Sequence, residues 1–218
     1  MISQTKSKKR VADHGEVFTA EREVKAMCDL VKQETERIES RFLEPACGNG
    51  NFLAEVLSRK LAVVKSRYGK SPADYEKYSV LAVTSVYGVE LLPDNAAECR
   101  ARLFTLWDEA YIANNRQAAN DQCREAVRFI LEKNILCGDA LTLRQADGSP
   151  IIFAEWSLVT GNQIKRRDFA LDELLNGHAE QMTLDMVGWE YDEEAQAFIP
   201  APIREFPLTD YRRVQDYE

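Results

Sequence analysis

The chain is short of the residues that build metal and redox sites. It has two histidines, His14 and His178, and five cysteines at positions 28, 47, 99, 123 and 137, with no C-x-x-C pair. That supply argues against zinc, and no metal site is expected. An odd number of scattered thiols fits a reducing cytoplasm, where they act as small apolar side chains. No apolar run approaches the roughly 18 residues of a membrane span. The basic start has no apolar stretch behind it, so neither a membrane nor a secretory signal is expected. Positive charge is in deficit, with 28 Lys and Arg against 36 Asp and Glu and a net charge of −8. This speaks against a surface that grips nucleic acid as a whole and leaves room for a local basic groove. Three local basic groups exist, Lys6 with Lys8, Lys9 and Arg10, then Lys165 to Arg167, then Arg212 and Arg213. The plain alternative for each is a solvated surface. Internal repeats and low-complexity tracts are missing as well.

What remains is an ordinary globular composition, 45% hydrophobic and 29% charged over 218 residues, enough for one domain with a small appendage. Residues 1–12 read as a basic flexible arm, 13–178 as the main domain, and 179–218 as a C-terminal appendage with a hairpin near Trp189 to Ile199 and a Pro-rich tail. A helix is expected from a Thr19 cap, with Val24, Met27, Cys28 and Val31 on one stripe. Arg41 to Glu44 reads as a buried strand, 51–67 as a helix, and 67–80 as an inserted loop broken by Gly69 and Pro72. A second strand ends at Glu90, with helices over 94–113 and 122–132 after it. A third strand ends at Cys137 and a fourth, Trp156 to Thr160, at Gly161-Asn162, followed by a short helix over 168–175. This alternation predicts an α/β fold with a parallel sheet, whose ligands bind at the carboxyl ends of the strands.

Those strand ends carry the informative residues. Glu44-Pro45-Ala46-Cys47-Gly48-Asn49-Gly50 joins a strand to a helix through a glycine turn, where the backbone can approach a ligand closely. It lacks the third glycine of G-x-G-x-x-G, because Leu53 stands there, and it lacks the Gly-Lys-Ser/Thr of a phosphate loop. A cofactor without phosphates suits it better; a tight turn with no ligand is the alternative. Glu90 can accept hydrogen bonds from two ribose hydroxyls. Asp139 can accept from an adenine amino group, with Ala140 and Leu141 against the ring, or can simply cap a turn.

These motifs resemble those of adenine-N6-type DNA methyltransferases of bacterial restriction–modification and prophage systems. Leu43 to Phe52 resembles their cofactor loop, Gly15 to Thr19 the segment that closes over the methionine end, Tyr87 to Glu90 the ribose strand, and Gly138 to Thr142 the adenine turn. The resemblance spans about 14–162. It implies a Rossmann-like class I methyltransferase sheet, truncated after the fourth strand, with S-adenosylmethionine held by Phe18, Thr19, Glu44, Ala46, Cys47, Gly48, Asn49, Gly50, Glu90, Asp139 and Ala140. It implies DNA as partner. The family's catalytic Asn/Asp-Pro-Pro-aromatic motif is broken here. Asn162 is present, but Gln163-Ile164-Lys165 follows, and the nearest aromatic after it is Phe169. Asn162 and Phe169 are thus the catalytic candidates of a variant site, in which the amide holds the amino group and the ring stacks on a flipped base. A cofactor-binding subunit that acts through a partner chain is the second reading, and methylation of a protein or small molecule the third. The 56 residues after Asn162 leave little room for a recognition domain, so a second subunit supplying it is expected under the second reading.

Overall fold

The structure, a computed structural model, describes residues 6–14, 16–176, 189–192 and 197–218. Gly15, His178, the expected boundary at 178/179 and Glu193 lie outside the described residues. The chain begins with three helices, α1 (Lys8–His14), α2 (Glu21–Leu30) and α3 (Lys32–Thr35), then β1 (Phe42–Glu44), α4 (Asn51–Tyr68), α5 (Pro72–Thr84), β2 (Val86–Glu90), α6 (Pro93–Asn115), α7 (Asp121–Asn134) and β3 (Ile135–Cys137). It continues through β4 (Ile152–Thr160), β5 (Gln163–Ala170), α8 (Leu171–Asn176), the pair β6 (Trp189–Asp192) and β7 (Ala197–Pro200), β8 (Arg204–Glu205), β9 (Thr209–Asp210) and a final 3-10 turn at Tyr211–Asp216.

The fold is α/β. A parallel three-stranded sheet has the order β1-β2-β3, with Phe42 opposite Val86 and Gly88 opposite Ile135. One face, through Val86 and Ile135, packs on the helices around the fully buried Leu53, Leu103, Trp107 and Ile130. The other face, through Tyr87 and Val89, is covered by Ile151, Phe153 and Leu171. Helices α4 to α7 run past the amino end of this short sheet. There Glu76 of α5 lies buried between Tyr111 of α6 and Tyr211 of the C-terminal turn.

Several sequence expectations are corrected. The 67–80 segment is no loop. Ser71 caps α5 by accepting from the Asp74 amide at 3.3 Å, and Pro72 sits in the first turn, where its missing N–H costs nothing. Residues 8–12 of the expected basic arm are helical, as part of α1. Ala20, not Thr19, precedes α2, without a side-chain cap. The fourth strand does not join the parallel sheet. β4 pairs antiparallel with β5, and β8 and β9 extend that second sheet. Gly161, at φ +57°, and Asn162 form the hairpin turn between them. A two-residue Gly-Asn link between alternating runs is a hairpin signal. Residues 163–170 therefore pair as a strand, and the helix begins only at Leu171. The β6–β7 hairpin pairs Trp189 with Pro200 and Asp192 with Ala197, as expected for that stretch.

Candidate functional site

The carboxyl ends of β1, β2 and β3 form one edge. β1 is followed directly by the glycine turn. The Cys47 amide donates to Val89 O at 3.0 Å and the Gly50 amide to Cys47 O at 2.8 Å. Gly50 lies in the left-handed region at φ +85°, and a Cβ there would come within 2.6 Å of Cys99 Sγ. Only glycine meets both conditions. The turn is tied to β2 through Glu90. Its Oε2 accepts from the Gly48 amide at 2.9 Å, and its Oε1 from the Leu92 amide at 3.0 Å and from Asn95 Nδ2 at 3.3 Å. Glu90 is buried beside the first turn of α6.

Across the turn stands the segment before α2. Val17, Phe18 and Thr19 face Glu44, Ala46, Cys47, Gly48 and Asn49 over a cavity of about 100 Å³, completed by Val24, Met27, Asn51 and Phe52. The Phe18 ring lies 3.3 Å from where a Gly48 Cβ would stand. Asn51 Nδ2 donates to Thr19 O at 3.0 Å. Burial pushes the Glu44 carboxyl up, against the Ala46 amide that lowers it. The Cys47 thiol is pushed up, first by its hydrogen bond with the Cys99 thiol and then by burial, so it stays protonated and packs as an apolar group. Asn49 donates from Nδ2 to Glu98 at 3.1 Å, while its Oδ1 is buried without a partner.

Of the eleven proposed cofactor residues, Phe18, Thr19, Glu44, Ala46, Cys47, Gly48 and Asn49 line this cavity. Gly50 and Glu90 support it from behind. Asp139 and Ala140 follow β3 on the same edge. Asp139 Oδ1 accepts from the Leu141 amide at 2.8 Å in a turn, and Leu141 is 95% exposed.

The two catalytic candidates lie elsewhere. β4 starts beside Tyr87 and Val89. It then passes Asn134 at the amino end of β3, where Trp156 Nε1 donates to Asn134 Oδ1 at 2.9 Å. Its far end carries the Asn162 turn to Tyr211, whose amide donates to Asn162 O at 3.0 Å. Tyr211 in turn bonds Glu76. Nine residues of extended chain at about 3.3 Å each thus lead away from the glycine turn. Asn162 is exposed there. Phe169 is buried and paired with Phe153, so its ring is not free to stack on a base. The basic run beside Asn162 is internally neutralised. Lys165 pairs with Glu205 at 2.8 Å, Arg166 with Asp168 at 2.8 Å and Arg167 with Glu155 at 2.6 Å.

No family model, curated protein or solved structure matches the chain. The site therefore rests on its own chemistry. Glu16, Asn95 and Glu98 were not among the expected site residues. Asn95 bridges Glu16 and Glu90, donating to the former at 3.1 Å. The available signal was its place just after Pro93, in the first turn of a helix that starts at a strand end. Among the described residues no helix is long and apolar enough to cross a membrane.

Proposed function

We propose that the chain binds S-adenosylmethionine along the carboxyl ends of β1–β3 and acts as the cofactor-holding subunit of an adenine-N6-type DNA methyltransferase. The observation that carries this reading is the convergence of a glycine turn, Glu90 and Asp139, from three successive parallel strands, on one edge beside the Phe18–Thr19 wall. The β1-β2-β3 order supports a Rossmann-like class I sheet, since strands that step outward from a first strand with a glycine turn form one half of a doubly wound sheet. Among the described residues no strand pairs with the other edge of β1, where the second half would begin.

The donor set fits such a group. Glu90 would take ribose hydroxyls, Asp139 and Ala140 the adenine, and Phe18, Thr19, Glu44 and Ala46 the methionine end. Cys47, Gly48 and Gly50 keep the backbone close, and the unpartnered Asn49 Oδ1 offers an acceptor. Bound S-adenosylmethionine supplies an electrophilic methyl on a sulfonium. The same chain acting alone as a DNA adenine methyltransferase through Asn162 and Phe169 is disfavoured by their placement, so a second chain is proposed to supply the target-base site.

The test is transfer of the labelled methyl of S-adenosylmethionine to unmethylated bacterial DNA by the purified chain. Cofactor binding without transfer is expected. Transfer by the chain alone, abolished in Asn162→Ala, would replace the subunit reading with an autonomous enzyme. Label confined to protein or small molecules would remove DNA from the account.

A further inference from the structure

We infer that Lys6–His14 and Glu16–Thr19 together form a salt-sensitive strap that shuts the cofactor cleft and must lift to admit ligand. The inference rests on the proposed cofactor reading for the ligand's identity, and on the geometry alone for the strap.

The cleft is closed by the chain itself. Phe18 fills the space over Gly48, at 3.3 Å from the missing Cβ. The cavity that remains, about 100 Å³, falls well below the roughly 300–1,000 Å³ of small-molecule sites. Glu90 is also largely used. Three of its approximately four lone-pair positions are taken by Gly48, Leu92 and Asn95. A ribose diol brings two donors, so at least one of these bonds has to give way.

The wall is held shut by ion pairs. Buried Glu16 accepts from Arg10 Nε at 2.6 Å and from Asn95 Nδ2 at 3.1 Å. Arg10 forks onto Asp94 at 2.7 and 3.1 Å. Lys6 reaches Asn95 Oδ1 at 2.7 Å and Glu98 Oε2 at 2.6 Å. The anchors of the strap are therefore the residues that orient Glu90 and Asn49. Arg10, followed by Lys6, holds the Asp94 carboxyl well below the usual carboxylate range. Closure leaves Glu16 Oε1 and Asn49 Oδ1 buried without partners, an unfavourable state that ligand or water relieves on opening. The cations of the strap sit among Glu16, Asp94 and Glu98. S-adenosylmethionine carries net positive charge, so cofactor and strap compete for the same acidic rim.

The test is hydrogen exchange of the full chain by mass spectrometry, for wild type, Lys6→Ala/Arg10→Ala and Asp94→Asn. Sodium chloride is set at about 0.02 M and about 0.5 M, where screening lengths are about 20 Å and about 4 Å. Stopped-flow association with S-adenosylmethionine accompanies it. Salt and both variants should speed exchange over 6–20 and 46–52 while β4–β5 stays unchanged. The association rate should rise about three- to tenfold, the scale of two partly exposed ion pairs. Unchanged exchange in 6–20 overturns the strap whatever the binding result. Faster exchange with an unchanged or lower association rate overturns its gating role. Faster exchange with no binding by any form keeps the strap and overturns the cofactor reading.

Discussion

The two ends of the parallel sheet treat buried polar groups differently. At the amino end, Lys60 donates to Ile38 O at 3.1 Å, to Ser85 Oγ at 2.6 Å and to Ser40 O. Asn134 donates to Thr84 O and Val86 O and accepts from Trp156. Glu76 accepts from Tyr211 at 2.8 Å, from Arg212 at 2.5 Å and from Tyr111. These groups are satisfied by partners from distant segments, which fixes the scaffold. At the carboxyl end, Glu16 Oε1 and Asn49 Oδ1 lack partners, and the wall above them is held by partly exposed charges; the third unpartnered buried oxygen among the described residues, Gln215 Oε1, lies in the C-terminal turn. Buried groups satisfied from distant segments hold the scaffold, and the two unsatisfied oxygens beside the cavity are where a ligand or a motion can complete the bonding.

The sharpest way to break this contrast is to remove a scaffold group. Glu76→Ala leaves two tyrosine hydroxyls and Arg212 without their acceptor, and a buried pair broken on one side costs about 3–5 kcal/mol. Urea unfolding should show that loss, with exchange rising over 209–216. A cost near zero would mean that the amino end is no anchor.

Lys60 gives the next effect. Burial pulls its ammonium down to about 7, against roughly 10.4 in an unfolded chain. Between these values the unfolded state binds more protons, so stability from this group rises with pH and its penalty is fully present below pH 7. Relative to Lys60→Met, the wild type should gain about 2 kcal/mol between pH 7 and pH 9, at up to about 1.4 kcal/mol per unit. A flat difference in urea titrations would show that the three oxygens keep the ammonium charged.

At the other end the expected effects move to binding. Glu90→Ala should weaken S-adenosylmethionine by about tenfold or more, some 1.4 kcal/mol. Its denaturation midpoint should fall by less than that of Glu76→Ala. Asn162→Ala should leave cofactor affinity unchanged in the same titration, because the residue sits on an exposed turn at the far end. A loss of affinity there would contradict the separation of the two ends.

What was legible in the sequence was local. The glycine turn, the strand ending at Glu90 and helices α4, α6 and α7 follow from residues within a few positions of one another, and the structure has them. Gly69 and Pro72 read as breakers, yet Pro72 with the Ser71 cap opens the next helix, since a Pro serves equally to end one helix and to start another. Gly161-Asn162 reads as the end of a parallel strand because the alternation of strands and helices runs on to it. Its own hairpin chemistry pointed the other way. The Glu76 network joins residues 35 and 135 positions apart, and the Lys6–Asp94 pair joins 88. No local pattern encodes partners at that range.

The most direct test of the central claim is isothermal titration of the purified chain with S-adenosylmethionine, run in parallel on Glu90→Ala. One saturable site is expected in the wild type, with a loss of about tenfold or more in the variant. No heat in the wild type, or equal affinity in both proteins, would contradict it.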